Sequence, residues 1–300
     1  MIDLHAHLVP EFYAAALRGI GMSNPDGSPL PAWDSDTHLK SMAGMGIDKA
    51  YLSLSSPGIA FFENPAAWAQ EINSYGAGLV KDNPEHFGFF ATLPLPDVDA
   101  AVREASEILK NPHVAGIGLL TNYKGLYLGD AAMDPLFEIL NAAGVVVFIH
   151  PTSPAGVHHV DCGRAAPLVE YLFDTTRAVT NMILNHVTLR YPHIKWVVPH
   201  NGALLPGVVD RVALFSKNIL GDTELDVVEA LQSMYFEIGS SAPFPRTADY
   251  IQNLVPGSQL VAGTDYPYAP PPAIAANAQR IQALPIAEQL QKNTLTLFQK

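Results

Sequence analysis

Eight short apolar, β-rich runs recur along the chain, each separated from the next by a longer segment with helical character. They cover residues 2–7, 49–55, 87–93, 114–120, 145–150, 194–200, 233–239 and 259–265. Several are apolar almost throughout, as strands are when both faces of the sheet are covered. Between them, residues 97–110 begin on Asp97 and carry Val98, Val102, Ala105 and Leu109 at helical spacing. Residues 133–143 precede Gly144, a C-terminal helix stop, and residues 167–177 and 179–191 read as two further helices. Pro84, Pro112 and Pro192 each stand just before a strand, where a helix must end. Strands alternating with crossover helices make a parallel sheet, and eight of them close a (β/α)8 TIM barrel; an open, doubly wound sheet is the alternative.

The chain has 300 residues, 48% of them hydrophobic, a length that such barrels use as one domain, here residues 1–300. No linker and no repeated motif interrupts it. Two stretches depart from the alternation. Residues 10–36, with Gly19, Gly21, Asn24, Pro25, Gly27, Pro29 and Pro31, read as a long loop after the first strand, and residues 151–163 as another after the fifth. Both follow C-terminal strand ends, the face on which barrel enzymes build their sites.

Charge and cysteine content narrow the functional classes. A formal net charge of −12 opposes a nucleic-acid surface, which needs cations to displace the phosphate counterions. The single cysteine, Cys162, excludes an internal disulfide and a thiolate metal cluster, and reads as a partly buried small side chain without a catalytic part. No basic segment followed by an apolar one opens the sequence, and the longest apolar stretches, such as 145–149, are too short to span a bilayer. A cytoplasmic protein is expected.

The polar residues fall at strand ends. His5 and His7 close the first run, His150 the fifth, His200 the sixth and Asp265 the eighth. In a parallel barrel these ends share one mouth, and residues two apart on a strand point the same way. Imidazoles and a carboxylate converging there suit a borderline divalent ion, zinc or manganese. A charged Asp265 after Leu260, Val261, Ala262, Gly263 and Thr264 is costly to bury unpaired, and a metal removes that cost. A closed network of buried hydrogen bonds is the bland alternative. Of the other histidines, His38, His86, His113 and His193 read as surface or capping residues. His186 reads as a core or supporting residue, and His158 and His159 as parts of a solvated loop.

The segments IDLHAHLVPEFY, VVFIHPTSP, FDTTRAVTNMIL, VVPHNGALLP and GTDYPY, in that order from Ile2 to Tyr268, resemble the amidohydrolase-related (amidohydrolase 2) enzymes of the aminocarboxymuconate-semialdehyde decarboxylase group. Within it the chain is most similar to the 6-methylsalicylate decarboxylase subgroup. The resemblance implies a single TIM-barrel domain with His5, His7, His150 and Asp265 as ligands of one divalent metal. It makes Asp265 a catalytic group as well, and gives His200 the task of orienting substrate or water. Around His200 the family more often reads Ser-His-Ala-Gly-Gly, whereas Pro199-His200-Asn201-Gly202-Ala203 stands here, so the pocket beside it differs. No lysine closes the fourth strand, where Leu120, Thr121 and Asn122 stand, so a carbamylated-lysine binuclear centre is not expected. The resemblance further implies a homodimer and a small carboxylic-acid substrate.

Two chemistries use this scaffold. As a carbon–carbon lyase, the protein decarboxylates a hydroxybenzoate-like or other unsaturated acid, with Asp265 as proton donor and His200 tuning it. As an amidohydrolase or lactonase, it attacks a carbonyl with a metal-activated water. A non-enzymatic metal-binding protein with a closed ion is the reading from another class. Trp33, Phe61, Phe62, Tyr123, Tyr266 and Tyr268 are candidates for an aromatic lining, and Arg177 and Arg246 for contacts to an anion.

Overall fold

The computed structural model describes residues 1–239 and 246–299. Eight parallel strands lie in sequence order in one sheet: β1 (Ile2–Leu8), β2 (Lys49–Leu54), β3 (Phe87–Ala91), β4 (Gly116–Leu120), β5 (Val146–His150), β6 (Lys195–Val198), β7 (Tyr235–Ile238) and β8 (Leu260–Ala262). The sheet closes where Ala6 bridges Tyr266 and the backbone N–H groups of His7 and Asp265 donate to the Tyr266 and His5 carbonyls, at 2.8 and 2.7 Å. The closed barrel, not the open sheet, is the fold. An extra residue in β1 relative to β2, between Asp3 and Ala6, sets Leu4 into an apolar floor with Phe90, Val146, Phe148, Val197 and Val261. His5 and His7 then stand above that floor, the His5 ring centred 4.8 Å from Phe148.

Local chemistry explains most helix limits. Asp97 caps Val98–Ile108 by accepting the Ala100 N–H at 2.9 Å, and Gly144 ends Asp134–Ala143 in the left-handed conformation at φ 59°. Three expectations are corrected. Residues 10–36 are not loop throughout: Glu11–Gly19 is a helix that buries Tyr13, Ala14 and Leu17, a spacing masked by the Gly- and Pro-rich stretch behind it. One continuous helix, Glu170–Leu184, replaces the expected pair, because Thr175, Ala178, Val179, Met182 and Ile183 form one buried face; only the short Val187–Arg190 follows. The last three strands stop short of their expected ends. β8 stops at Ala262, where the chain passes so close to β1 and β7 that a Cβ on Gly263 would meet His5 Cβ and Glu237 Cγ, each at 2.5 Å.

Candidate metal centre

His5, His7, His150 and Asp265 meet as their positions imply: one ligand atom from each lies within 4.8 Å of all the others. The histidines come directly from β1 and β5. Asp265 and His200 do not end strands; they sit on the turns beyond β8 and β6, at φ 62° and 57°. Left-handed backbone at a non-glycine residue costs roughly 1–2 kcal/mol. At Asp265 that conformation is held by the Asp265 N–H bond to the His5 carbonyl and by the Tyr268 N–H bond to the Asp265 carbonyl, at 2.7 and 2.9 Å.

Each imidazole of the set is fixed through Nδ1. His5 Nδ1 lies 2.9 Å from Glu237 Oε2, His150 Nδ1 lies 2.7 Å from the Pro151 carbonyl, and His7 Nδ1 lies 3.1 Å from the Ser53 hydroxyl and 3.3 Å from its carbonyl. Carboxylates and carbonyls accept, so Nδ1 carries the proton and Nε2 keeps its lone pair, the arrangement by which a metal-binding imidazole is oriented from behind. Nε2 of His5 and of His7 face each other at 3.0 Å, and Asp265 Oδ1 lies 3.4 and 3.1 Å from them. Two facing lone pairs repel, and a shared cation is what this geometry accommodates. Three nitrogens and one carboxylate fit zinc or manganese.

The field of the cluster also acts on protons. Burial would raise the Asp265 carboxyl, but the neighbouring imidazoles, His5 foremost, hold it well below the usual carboxylate range. Burial, reinforced by the neighbouring imidazoles, pushes His150 well below its ordinary value, which favours the neutral ligand form. His5 is raised: burial opposes its charging, but Asp265 and Glu237 outweigh it. Asp265 Oδ2 lies 3.9 Å from His200 Nε2, so its two oxygens face different partners.

The cluster opens into a cavity of about 210 Å³, with His150, His200 and Asp265 on one side and Asp26, Ser56, Tyr171 and Tyr268 among its other walls. This is below the roughly 300 Å³ at which pockets for drug-sized ligands begin, and it suits a single-ring acid. Of the expected aromatic lining only Tyr268 reaches it, its ring 5.3 Å from His7. Phe61 and Tyr123 line a neighbouring cavity of about 480 Å³. Trp33, Phe62 and Tyr266 instead serve packing: Trp33 donates to His38, Tyr266 lies over the His38 ring, and Phe62 stacks on Trp68.

Arg177 binds no site group. It holds the buried Asp174 at 2.7 Å, and Asp174 also accepts from Thr121, Asn122 and Tyr127. Arg246 is exposed. His38, expected at the surface, is buried at 1% exposure because the segment after β1 folds back over it. His186 is not in the core; it ends a helix at φ 55° and pairs with Asp222 at 2.7 Å. His86 and His193 are exposed, as are His158 and His159, and Cys162 is exposed rather than partly buried.

Sequence reasoning missed Glu237 and Asp3, both fully buried beneath the cluster. Glu237 Oε2 accepts from the His200 N–H as well as from His5. Asp3 accepts from the His5 N–H and from the Thr264 N–H and hydroxyl, and burial pushes its carboxyl up to about 7 against those bonds. A lone carboxylate inside an apolar strand was the available signal for each, the same signal that singled out Asp265.

A closed eight-stranded β/α barrel with a three-histidine, one-aspartate cluster in its C-terminal mouth defines a class of metal-centred barrel proteins. Within that class the chain belongs to the family described as Amidohydrolase, whose model matches residues 2–295. It is 35% identical to the decarboxylase yanB of Aspergillus niger, across 90% of this chain and 77% of that one. It is 29% identical to the 6-methylsalicylic acid decarboxylase of Penicillium expansum, across 97% and 92%. A crystal structure described as an amidohydrolase II superimposes with a TM-score of 0.93 at 30% identity, covering 100% of this chain and 99% of that one.

Proposed function

We propose that the protein is a metal-dependent decarboxylase of hydroxybenzoate-like or other unsaturated carboxylic acids, with His5, His7, His150 and Asp265 holding one zinc or manganese ion and residues 1–300 acting as one domain. The observation that carries this reading is the division of Asp265: Oδ1 faces the His5 and His7 nitrogens, while Oδ2 faces His200 beside a cavity of single-ring size. The names of the related fungal decarboxylases support it. When bound, the ion supplies a positive charge that fixes the substrate carboxylate and a neighbouring oxygen.

The protein's own groups do the rest. Asp265 Oδ2, on the side away from the imidazole pair, is ionised at rest and relays a proton from His200 Nε2 to the ring carbon that bears the carboxylate. Each turnover consumes one proton, which remains on the product carbon, and His200 Nε2 is reprotonated from solvent for the next. With the carbon protonated, the carbon–carbon bond breaks, its electron pair restores the ring, and CO2 leaves. Tyr268 and residues of the proline-rich segment from Pro25 to Pro31 line the cavity beside these groups.

Product analysis tests the reading directly. The manganese- and zinc-loaded protein, given a panel of hydroxylated benzoates, muconate-like acids and lactones, is expected to release CO2 without taking oxygen from water. Incorporation of oxygen-18 into product, with no CO2, would establish the hydrolase instead.

The protein is further proposed to be a cytoplasmic homodimer. The exposed apolar side chains Leu168, Val169 and Phe173, with Leu214, Phe215, Ile219 and Leu220, support a covered face. Among the described residues no helix is long and apolar enough to cross a membrane. Light scattering would settle the mass in solution.

A further inference from the structure

Part of the cavity wall outside the ligand cluster is organised around one carboxylate. Asp26, at φ 56° between Pro25 and Gly27, accepts hydrogen bonds from the Ser56 and Ser153 hydroxyls and from the Tyr171 phenol, the last at 2.8 Å. Ser56 is steadied in turn by Thr152 Oγ1 at 2.7 Å. Asp26 follows β1, and these partners come from the segments after β2 and β5 and from the helix Glu170–Leu184, so the carboxylate is fixed from several directions.

An ionised carboxylate offers about four acceptor positions, and three donors occupy Asp26, so one acceptor direction remains. All three neighbouring hydroxyls spend their protons on it, which leaves this wall presenting acceptors rather than donors. No lysine or arginine is among the described residues that line the cavity. The cavity is thus polarised. It holds a ligand set built for a cation, which draws the reacting carboxylate, and a separate carboxylate, Asp26, with no lysine or arginine among the described residues of this lining.

Building on the decarboxylase reading, we propose that Asp26 is a specificity-determining residue. It accepts a hydrogen bond from a hydroxyl or amino group carried by the ring away from the reacting carboxylate, and it rejects acids that carry a second carboxylate at that position. A substrate donor completes the fourth acceptor site without displacing any protein partner. A second carboxylate meets a like charge on a wall where the described residues include no lysine or arginine; Lys124 and Arg164 line the neighbouring cavity instead. Asp26 also lines the neighbouring cavity of about 480 Å³, so it meets ligands on both sides of the loop that carries it.

The test compares the full-length, manganese-loaded wild type with Asp26→Asn on salicylate, the dihydroxybenzoates, their methyl-substituted counterparts and hydroxybenzene dicarboxylates. Both CO2 release and binding by calorimetry are read. The wild type is expected to favour its best dihydroxy acid over the methyl counterpart by about tenfold or more, chiefly in KM and in affinity, as loss of a hydrogen bond to a charged acceptor implies. In Asp26→Asn that ratio falls to within about threefold and the dicarboxylates bind.

An unchanged ratio and unchanged rejection of dicarboxylates in a variant of normal melting temperature and metal content overturns the proposal. So does a wild type that binds a dicarboxylate as tightly as the best dihydroxy acid, an outcome that needs no variant at all. If no acid releases CO2 but binding discriminates as described, the decarboxylase reading fails and the role of Asp26 stands.

Discussion

On one side of the cavity His5, His7 and His150 leave barrel strands, and each has its Nδ1 held by another strand or by the backbone of the next residue. On the other side Asp26, Ser56, Ser153 and Tyr171 come from connecting segments and hold one another. The first side inherits its geometry from the register of the sheet, which the whole core maintains. The second depends on three connections meeting, and each of these can change in length and composition without disturbing the barrel. A scaffold divided in this way can keep its metal chemistry while it alters which acid it takes.

The largest effect that separates the two sides is expected at Asp265. Asp265→Asn keeps the shape of the side chain and removes the group that moves the proton, so turnover falls by about 10³-fold while substrate affinity changes by no more than about tenfold. Steady-state kinetics beside calorimetry with an unreactive benzoate measures both. Retained turnover would take Asp265 out of proton transfer and leave it only a ligand.

Glu237→Gln probes the support under the strand-borne side. Its carboxylate fixes the His5 ring and accepts the His200 N–H, so its loss should weaken metal affinity about 10- to 100-fold, read by competition with a chelator. Affinity equal to wild type would mean that sheet register alone orients His5. Tyr171→Phe is the matching change on the loop-borne side. It removes one of three donors to Asp26, and is expected to change kcat/KM by less than about tenfold with metal affinity unaltered. A Tyr171→Phe variant that loses metal would erase the distinction between the two sides.

That distinction also marks what could be read from the sequence. Strand-borne residues were legible because a parallel barrel sends every strand end to one mouth, so His5, His7 and His150 could be placed together from position alone. Asp265 and His200 were brought to the right mouth, although both stand on left-handed turns past their strands. Asp26 was not legible, since nothing in Asn24-Pro25-Asp26-Gly27 tells that it will meet Ser153 and Tyr171, far along the chain. The aromatic candidates other than Tyr268 failed for the same reason. Position after a strand end does not say which way a loop folds, and Trp33, Phe62 and Tyr266 turned away to pack. Glu237 was legible in principle, because a lone acid in Tyr235-Phe236-Glu237-Ile238 needs a buried partner.

His38 sharpens the comparison from outside both groups, because burial and not a ligand's role keeps its ring neutral. It is 1% exposed, its ring lies 4.1 Å from that of Tyr266, and its Nδ1 accepts from Trp33 Nε1 at 3.1 Å, which requires a lone pair there. Burial, with a smaller contribution from the charge of His7, pushes its pKa down to about 3. In the unfolded chain a histidine titrates near 6.5. As pH falls from about 6.5 toward 3, the unfolded chain takes up a proton that native His38 refuses. Stability present above 6.5 is therefore lost at roughly 1.4 kcal/mol per pH unit. His38→Gln retains an acceptor for Trp33 and removes the titration. Turnover near neutral pH should not change. Its unfolding free energy relative to wild type should rise by about 2 kcal/mol between pH 7 and pH 5, measured by urea denaturation with a chelator present. A difference that stays constant over that range would mean that His38 charges as readily in the native protein as in the unfolded chain, and burial would then not account for neutral imidazoles in this part of the molecule.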